Sequence, residues 1–134
     1  MITSTQCAVF CEENGIILDY CALPLNGSVS FEDRDGKYII MDEADMTEAQ
    51  RKVHLAHEIG HCMTGAFYRP YSPLESRSRC EYKANKWMIE RLLPKKDLLE
   101  AFEKGIVEVW ELAEHFDVPE ETVRFACYEY FDKI

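Results

Sequence analysis

The chain has 134 residues and carries 15 basic and 25 acidic side chains, which gives a formal net charge of −10 at pH 7. This acidic balance argues against nucleic-acid or anionic-membrane partners, because both need a basic footprint. The length suits a single domain over residues 1–134, and the 47% hydrophobic content is enough to build a core.

The N-terminus and the cysteines predict a cytoplasmic protein. The stretch MITSTQCAVFCEENG has no basic region before its apolar residues, so no secretory signal is predicted. No apolar run approaches the roughly 20 residues that a membrane helix needs. Six cysteines occur without a C-x-x-C pair, and we expect reduced thiols. Cys7 and Cys11 lie one helical turn apart, although no second half of a metal site is evident.

The first third of the chain predicts one short helix and three strands. Residues 4–14 are expected to be helical and to end at Asn14-Gly15, a typical C-cap signal. A strand is expected within residues 16–24. Asp35-Gly36 lies between two runs rich in β-forming residues and indicates a hairpin.

The remainder predicts helices. Thr47 is expected to N-cap a long helix over residues 48–66, and a second helix should run from Ser76 or Ser78 to Leu93. Three shorter helices are expected at residues 95–103, 106–116 and 120–132. This order indicates an α+β fold, in which a small antiparallel three-stranded sheet packs against a mainly helical domain.

The longest helix contains the motif His57-Glu58-Ile59-Gly60-His61. Residues four apart on a helix are neighbours, so the imidazoles of His57 and His61 can converge on one zinc ion. Glu58 lies beside that face, where it can accept a proton from a water molecule on the metal. The alternative is a helix that carries histidines by chance.

The next helix offers a third ligand. On a helical wheel Glu81 shares the apolar stripe of Ala84, Met88 and Leu92, where an unpaired carboxylate is costly. A metal ion would remove that cost, and so would a buried salt bridge to an arginine. Asn85 lies one turn further on, where its oxygen can accept a hydrogen bond from the outer nitrogen of a ligating histidine.

These residues together resemble the ImmA/IrrE family of metallopeptidases. The matching features are the motif at 57–61, Glu81-x-x-Ala84-Asn85-Lys86-Trp87 and Leu92-Leu93-Pro94, within an order of elements that is similar over about residues 8–125. The spacing of Glu81, twenty residues after His61, is also similar to that of the third zinc ligand in thermolysin-like enzymes. The resemblance implies a zinc-dependent endopeptidase of the cytoplasm, often encoded by phages or other mobile elements, that cuts a repressor-type regulator.

Further side chains are candidates for contacts with the substrate or with the transition state: His54, Tyr68, Tyr71 and His115. His54 lies one turn before His57 on the same face and is also an alternative metal ligand in place of Glu81. A tyrosine or histidine outside the ligand set can stabilise an oxyanion. Ordinary packing is the alternative for each of these residues.

The C-terminal stretch IVEVWELAEHFDVPEETVRF has the pattern of a helix-turn-helix, which would make the protein a DNA-binding regulator. Residues 105–131 hold seven acids, however, with Arg124 as the only arginine or lysine, and phosphates would repel such a surface. We therefore expect a helical pair packed on the metal domain. Its expected apolar face consists of Val107, Trp110, Leu112, Ala113 and Phe116.

A second alternative is a non-catalytic zinc-binding interaction protein, such as a toxin–antitoxin component or another regulatory module. Glu58 argues against it, because a structural zinc site needs no base at that position. Two histidines and one carboxylate suit zinc, but iron or manganese bind similar sets. The sequence determines neither the substrate nor the oligomeric state.

Overall fold

The computed structural model describes residues 2–21, 28–43, 46–69 and 71–132, and this part of the chain forms a three-stranded sheet and six α-helices. The elements in chain order are α1 Ser4–Glu13, β1 Ile17–Cys21, β2 Ser28–Glu32, β3 Tyr38–Glu43, α2 Glu48–Thr64, α3 Leu74–Leu92, α4 Lys95–Glu103, α5 Val109–Phe116 and α6 Glu120–Cys127. A π-helical turn over Tyr128–Asp132 follows α6. The predicted α+β class is confirmed.

The sheet is mixed and has the strand order β1-β3-β2. β2 and β3 form the predicted antiparallel hairpin, with Glu32 opposite Tyr38, but β1 runs parallel to β3 with Leu18 opposite Ile40. The expectation of a wholly antiparallel sheet is therefore wrong. Because β3 is central, β1 neighbours it rather than the next strand in sequence, and strand patterning does not determine that neighbour. Residues 22–27, between β1 and β2, lie outside the described residues.

Local signals account for the start and the end of α2. The Thr47 hydroxyl accepts a hydrogen bond from the Gln50 backbone N–H, and the Gln50 side chain accepts one from the Thr47 backbone N–H, each at 3.2 Å. This capping box satisfies two N–H groups that the first helical turn leaves free. At the other end Gly65 has a φ of 67°, a left-handed backbone conformation that glycine adopts without strain.

Two helix starts differ from the expectation. Helix α3 begins at Leu74 and not at Ser76 or Ser78, because Pro73 precedes it with a φ of −55°, which suits a helix start. Helix α5 begins at Val109 rather than at residue 106.

The later start of α5 changes which side chains it buries. Leu112, Ala113 and Phe116 are buried as expected, but Val107 and Trp110 are 58% and 56% exposed. Val107 precedes the helix, and on a helical wheel Trp110 lies at the edge of the face that Leu112, Ala113 and Phe116 form.

Helices α2 and α3 pack against each other through their backbones. A Cβ atom added at Gly60 would lie 2.7 Å from the carbonyl oxygen of Ala84, so only glycine fits at this crossing. Around it, buried apolar side chains from α1, the sheet and all the later helices form one core: for example Cys11, Ile40, Leu55, Ile89, Leu98, Leu112 and Val123.

Lys52 of α2 joins the C-terminal helices to the core. Its side chain is only 2% exposed, and its ammonium group donates a 2.7 Å hydrogen bond to the carbonyl oxygen of Phe116, at the end of α5. Burial lowers the pKa of Lys52, and nearby acidic groups such as Asp117 partly offset this decrease. A cation at a helix C-terminus also complements the helix dipole.

The six cysteines all lie in the described part of the chain, and none of them forms a disulfide there. Within the same residues, every helix is too short or too polar to cross a membrane.

Candidate metal centre

Helices α2 and α3 bring together the three predicted metal ligands, His57, His61 and Glu81. One ligand atom from each lies within 4.8 Å of the others. The Nε2 atom of His57 is 2.9 Å from Oε2 of Glu81, and that of His61 is 3.1 Å from Oε1. The two histidines are one turn apart on α2, and the close packing at Gly60 brings α3 near enough for Glu81 to reach both.

The outer nitrogen of each histidine has an oxygen acceptor. Nδ1 of His57 lies 2.7 Å from Oδ1 of Asn85, and Nδ1 of His61 lies 2.6 Å from the backbone oxygen of Ala66. Because these oxygens only accept hydrogen bonds, each Nδ1 carries the proton. Both Nε2 atoms therefore face Glu81.

Two imidazole lone pairs and a carboxylate that converge in this way would repel one another unless a cation or ring protons lie between them. Hydrogen bonds from His57 and His61 hold the pKa of Glu81 well below its usual range. Burial opposes a charge on His61, but its bonds to Glu81 and Ala66 raise the pKa of that ring above the ordinary value. The group thus attracts positive charge, and its donor set fits a divalent metal ion.

Glu58 lies beside this group and is buried, at 7% exposure. Burial raises the pKa of its carboxyl group, and a hydrogen bond from Ser30 of β2 partly offsets that rise. The sheet thus contributes a side chain that fixes the predicted base. A carboxylate held in an enclosed position is suited to accept a proton.

The group opens into a cleft of about 640 Å³. Its floor is α2, and its walls are β2, the part of α3 around Glu81 with Phe67 and Tyr68, and α6. From β2 and α6 the lining side chains are Ser28, Val29, Ser30, Glu121, Thr122 and Phe125. The cleft is large enough for part of a peptide chain to reach the three ligand residues.

The other four candidates divide into two pairs. Tyr68 and His54 line the cleft: the Tyr68 hydroxyl donates a 2.9 Å hydrogen bond to Glu81, and Nδ1 of His54 lies 3.4 Å from the Ser28 hydroxyl. His54 is outside the converging group of three. Tyr71 is 76% exposed and His115 packs against Phe116, and neither residue lines the cleft.

The contributions of β2, of Ala66 and of α6 to the cleft and to the metal centre were not predicted from the sequence. Ser28 and Ser30 alternate along a strand and so share one face, which was a usable signal. The carbonyl of Ala66 could not be found by residue type, because any residue has one. Glu121 lies sixty residues or more from the motif at 57–61, and its place in the cleft depends on how α6 packs.

The fold and the converging donors define an α+β domain with a candidate site for one metal ion. The chain belongs to the family described as the IrrE N-terminal-like domain: the family model, Peptidase_M78, matches residues 11–128. This match confirms the resemblance seen in the motifs.

The fold is also similar to that of a solved structure titled Mycobacterium tuberculosis transcriptional regulator, with a TM-score of 0.69 and 19% sequence identity. The match covers 94% of this chain and 40% of that chain, so this chain spans well under half the length of that protein. A search of curated proteins gives no match.

Proposed function

We propose that the protein is a zinc-dependent endopeptidase that hydrolyses a peptide bond in a cytoplasmic protein. The observation that carries this proposal is the convergence of His57, His61 and Glu81, with Glu58 buried beside them in an open cleft. The Peptidase_M78 family match supports the reaction class.

The donor set suits zinc. Two imidazole nitrogens and one carboxylate are a usual protein set for a catalytic zinc ion, which keeps a further position open. When bound, zinc lowers the pKa of water to about 7 and polarises a carbonyl oxygen. Asn85 and the Ala66 carbonyl orient the two rings. Each oxygen accepts a hydrogen bond from Nδ1 and so directs Nε2 to the site.

Glu58 is the general base of the proposed reaction. It accepts the proton of the attacking water and then delivers it to the leaving amine, which must be protonated to depart. Its raised pKa favours the first of these roles, since a stronger base takes up the proton more readily. The hydroxyl of Tyr68, which now binds Glu81, is a donor for the developing oxyanion.

The proposed substrate is a repressor-type transcriptional regulator encoded by a phage or another mobile element. The resemblance to ImmA/IrrE proteins supports this choice. Six unpaired cysteines support a reducing compartment such as the cytoplasm.

The test combines metal analysis with cleavage of the regulator encoded beside the gene. Glu58→Gln keeps the side-chain shape but cannot accept the proton. We expect zinc content near that of the wild type and cleavage at least roughly 100-fold slower. Glu90→Gln on α3 is the matched control, because this exposed residue is outside the cleft, and it should cleave normally.

Wild-type cleavage by Glu58→Gln would show that the mechanism is wrong. Loss of zinc from that variant would give Glu58 a structural role and favour a non-catalytic zinc-binding interaction protein.

A further inference from the structure

The cleft is acidic. Among its described lining residues are three carboxylates, Glu58, Glu81 and Glu121, and neither a lysine nor an arginine. A divalent ion held by His57, His61 and Glu81 would offset the charges of Glu58 and Glu81. Glu121 is then left without a compensating cation among the described lining residues.

Glu121 lies in the first turn of α6 and lines the cleft. His54 of α2 interacts electrostatically with Glu121: the pKa of His54 is lowered by burial and by His57 and is raised by Glu121. Because the net shift is downward, a neutral imidazole faces Glu121 near pH 7.

Apolar side chains line the same cleft as Glu121. Phe125 is one turn along the same face of α6, Val53 precedes His54 on the floor, and all three line the cleft. Val29 lines the cleft from β2 and is 47% exposed. A cleft lined by apolar side chains and a carboxylate fits the aliphatic stem and the cationic head of a lysine or an arginine.

This position is close to the proposed reaction centre. His54 precedes His57 by one turn, a rise of about 4.5 Å along α2. An extended peptide advances about 3.3 Å per residue. A side chain that reaches Glu121 therefore belongs to a residue about one to three positions from the bond that lies at the metal ligands.

We infer that Glu121 is a specificity-determining residue, which selects a substrate with a lysine or arginine within about three residues of the scissile bond. This inference rests on the proposed function only for where the basic residue lies relative to the scissile bond. The attraction between Glu121 and a cationic side chain does not depend on cleavage. It requires cationic peptides to bind better than neutral ones whether or not they are cut.

The experiment measures binding to the full-length, zinc-loaded Glu58→Gln variant, so that cleavage does not interfere. The probes are fluorescein-labelled alanine-based octapeptides in which each position in turn is Arg, Gln or Glu. We expect arginine at one favoured position to bind roughly 3–10-fold more tightly than glutamine, as one opposite charge at a partly exposed site allows. Adding Glu121→Lys should abolish this preference, and adding Glu121→Gln should weaken it.

Glu120→Lys is the matched control. Glu120 is in the same helical turn, carries the same charge and lies 3.5 Å from Arg124, outside the cleft. Glu120→Lys therefore removes the same interaction with the helix dipole as Glu121→Lys and changes the net charge by the same amount. We expect its preference for arginine to equal that of the parent variant.

The inference is overturned if no peptide binds, if no position prefers arginine, or if Glu120→Lys removes the preference as fully as Glu121→Lys. Cleavage of the same peptides by the wild-type protein tests the proposed function separately. Cleavage without a preference for a basic residue would support the endopeptidase proposal and contradict the role of Glu121. Selective binding without cleavage would support the role of Glu121 and contradict the endopeptidase proposal.

Discussion

Gly60 of α2 lies against the backbone of Ala84 in α3, so closely that a Cβ atom at Gly60 would be 2.7 Å from the Ala84 carbonyl oxygen and 3.0 Å from its Cα. Gly60 immediately precedes His61, and Ala84 follows Glu81 by three residues. The spacing of the two helices at this point therefore sets how far Glu81 must reach to meet the histidines.

We predict that Gly60→Ala weakens zinc binding as well as the fold. The atoms that the methyl group would meet belong to the backbone, which cannot rotate away as a side chain can. The helices must separate, and overpacking of this kind costs about 1–3 kcal/mol of stability. A chelator-competition titration and thermal unfolding measure the two effects. Met63→Ala, an exposed change on the same helix, should leave zinc affinity unchanged. Wild-type affinity in Gly60→Ala would mean that the spacing does not position Glu81.

The metal ligands can be separated from other cleft residues by substitution. His57→Ala, His61→Ala and Glu81→Ala should each abolish tight zinc binding, because each removes one of three converging donors. His54→Ala should retain it, since His54 lines the cleft but lies outside that group. Equilibrium dialysis gives the occupancy. Near-normal zinc in Glu81→Ala together with loss in His54→Ala would reverse the two assignments.

Asn85 is expected to act through His57 rather than on the metal. Asn85→Ala removes the acceptor 2.7 Å from Nδ1, and losing such a partner typically weakens metal binding about 10–100-fold. Asn85→Asp keeps an acceptor and should bind zinc at least as tightly as the wild type. If both variants bind zinc equally weakly, the amide group has a role other than accepting a hydrogen bond from Nδ1 of His57.

The buried thiols should be slow to react. Burial raises the pKa of Cys7 and of Cys62 to about 12 and that of Cys11 to about 11, and only the thiolate is nucleophilic. At pH 8, alkylation of the native protein should leave these three unmodified while the less buried Cys21 and Cys80 react. A separate sample that has not been alkylated should expose six reactive thiols when it is denatured without reductant. Two or more protected cysteines under those conditions would contradict the prediction of a reduced protein.

The sequence predicted those features that depend on local spacing. The histidines of α2, the stripe with Glu81 and Asn85, and the Thr47 helix start all follow from helical periodicity or from capping chemistry. The end of α2 was placed at residue 66, whereas the helix ends at Thr64, before Gly65. The pairing of β1 with β3 could not be predicted, because the sequence of a strand does not identify its neighbour in the sheet. The Ser30 contact with Glu58 and the position of Glu121 also depend on how distant elements pack.

The hydrogen bond from Lys52 to Phe116 has a consequence for how the chain can be divided. Helices α5 and α6 have the sequence pattern of a helix-turn-helix, yet their removal would take away the acceptor of the Lys52 ammonium, which is buried in the intact chain. The same cut would remove the wall of the cleft that holds Glu121. Evolution by exchange of this C-terminal segment would therefore have to replace Lys52 and rebuild the cleft together.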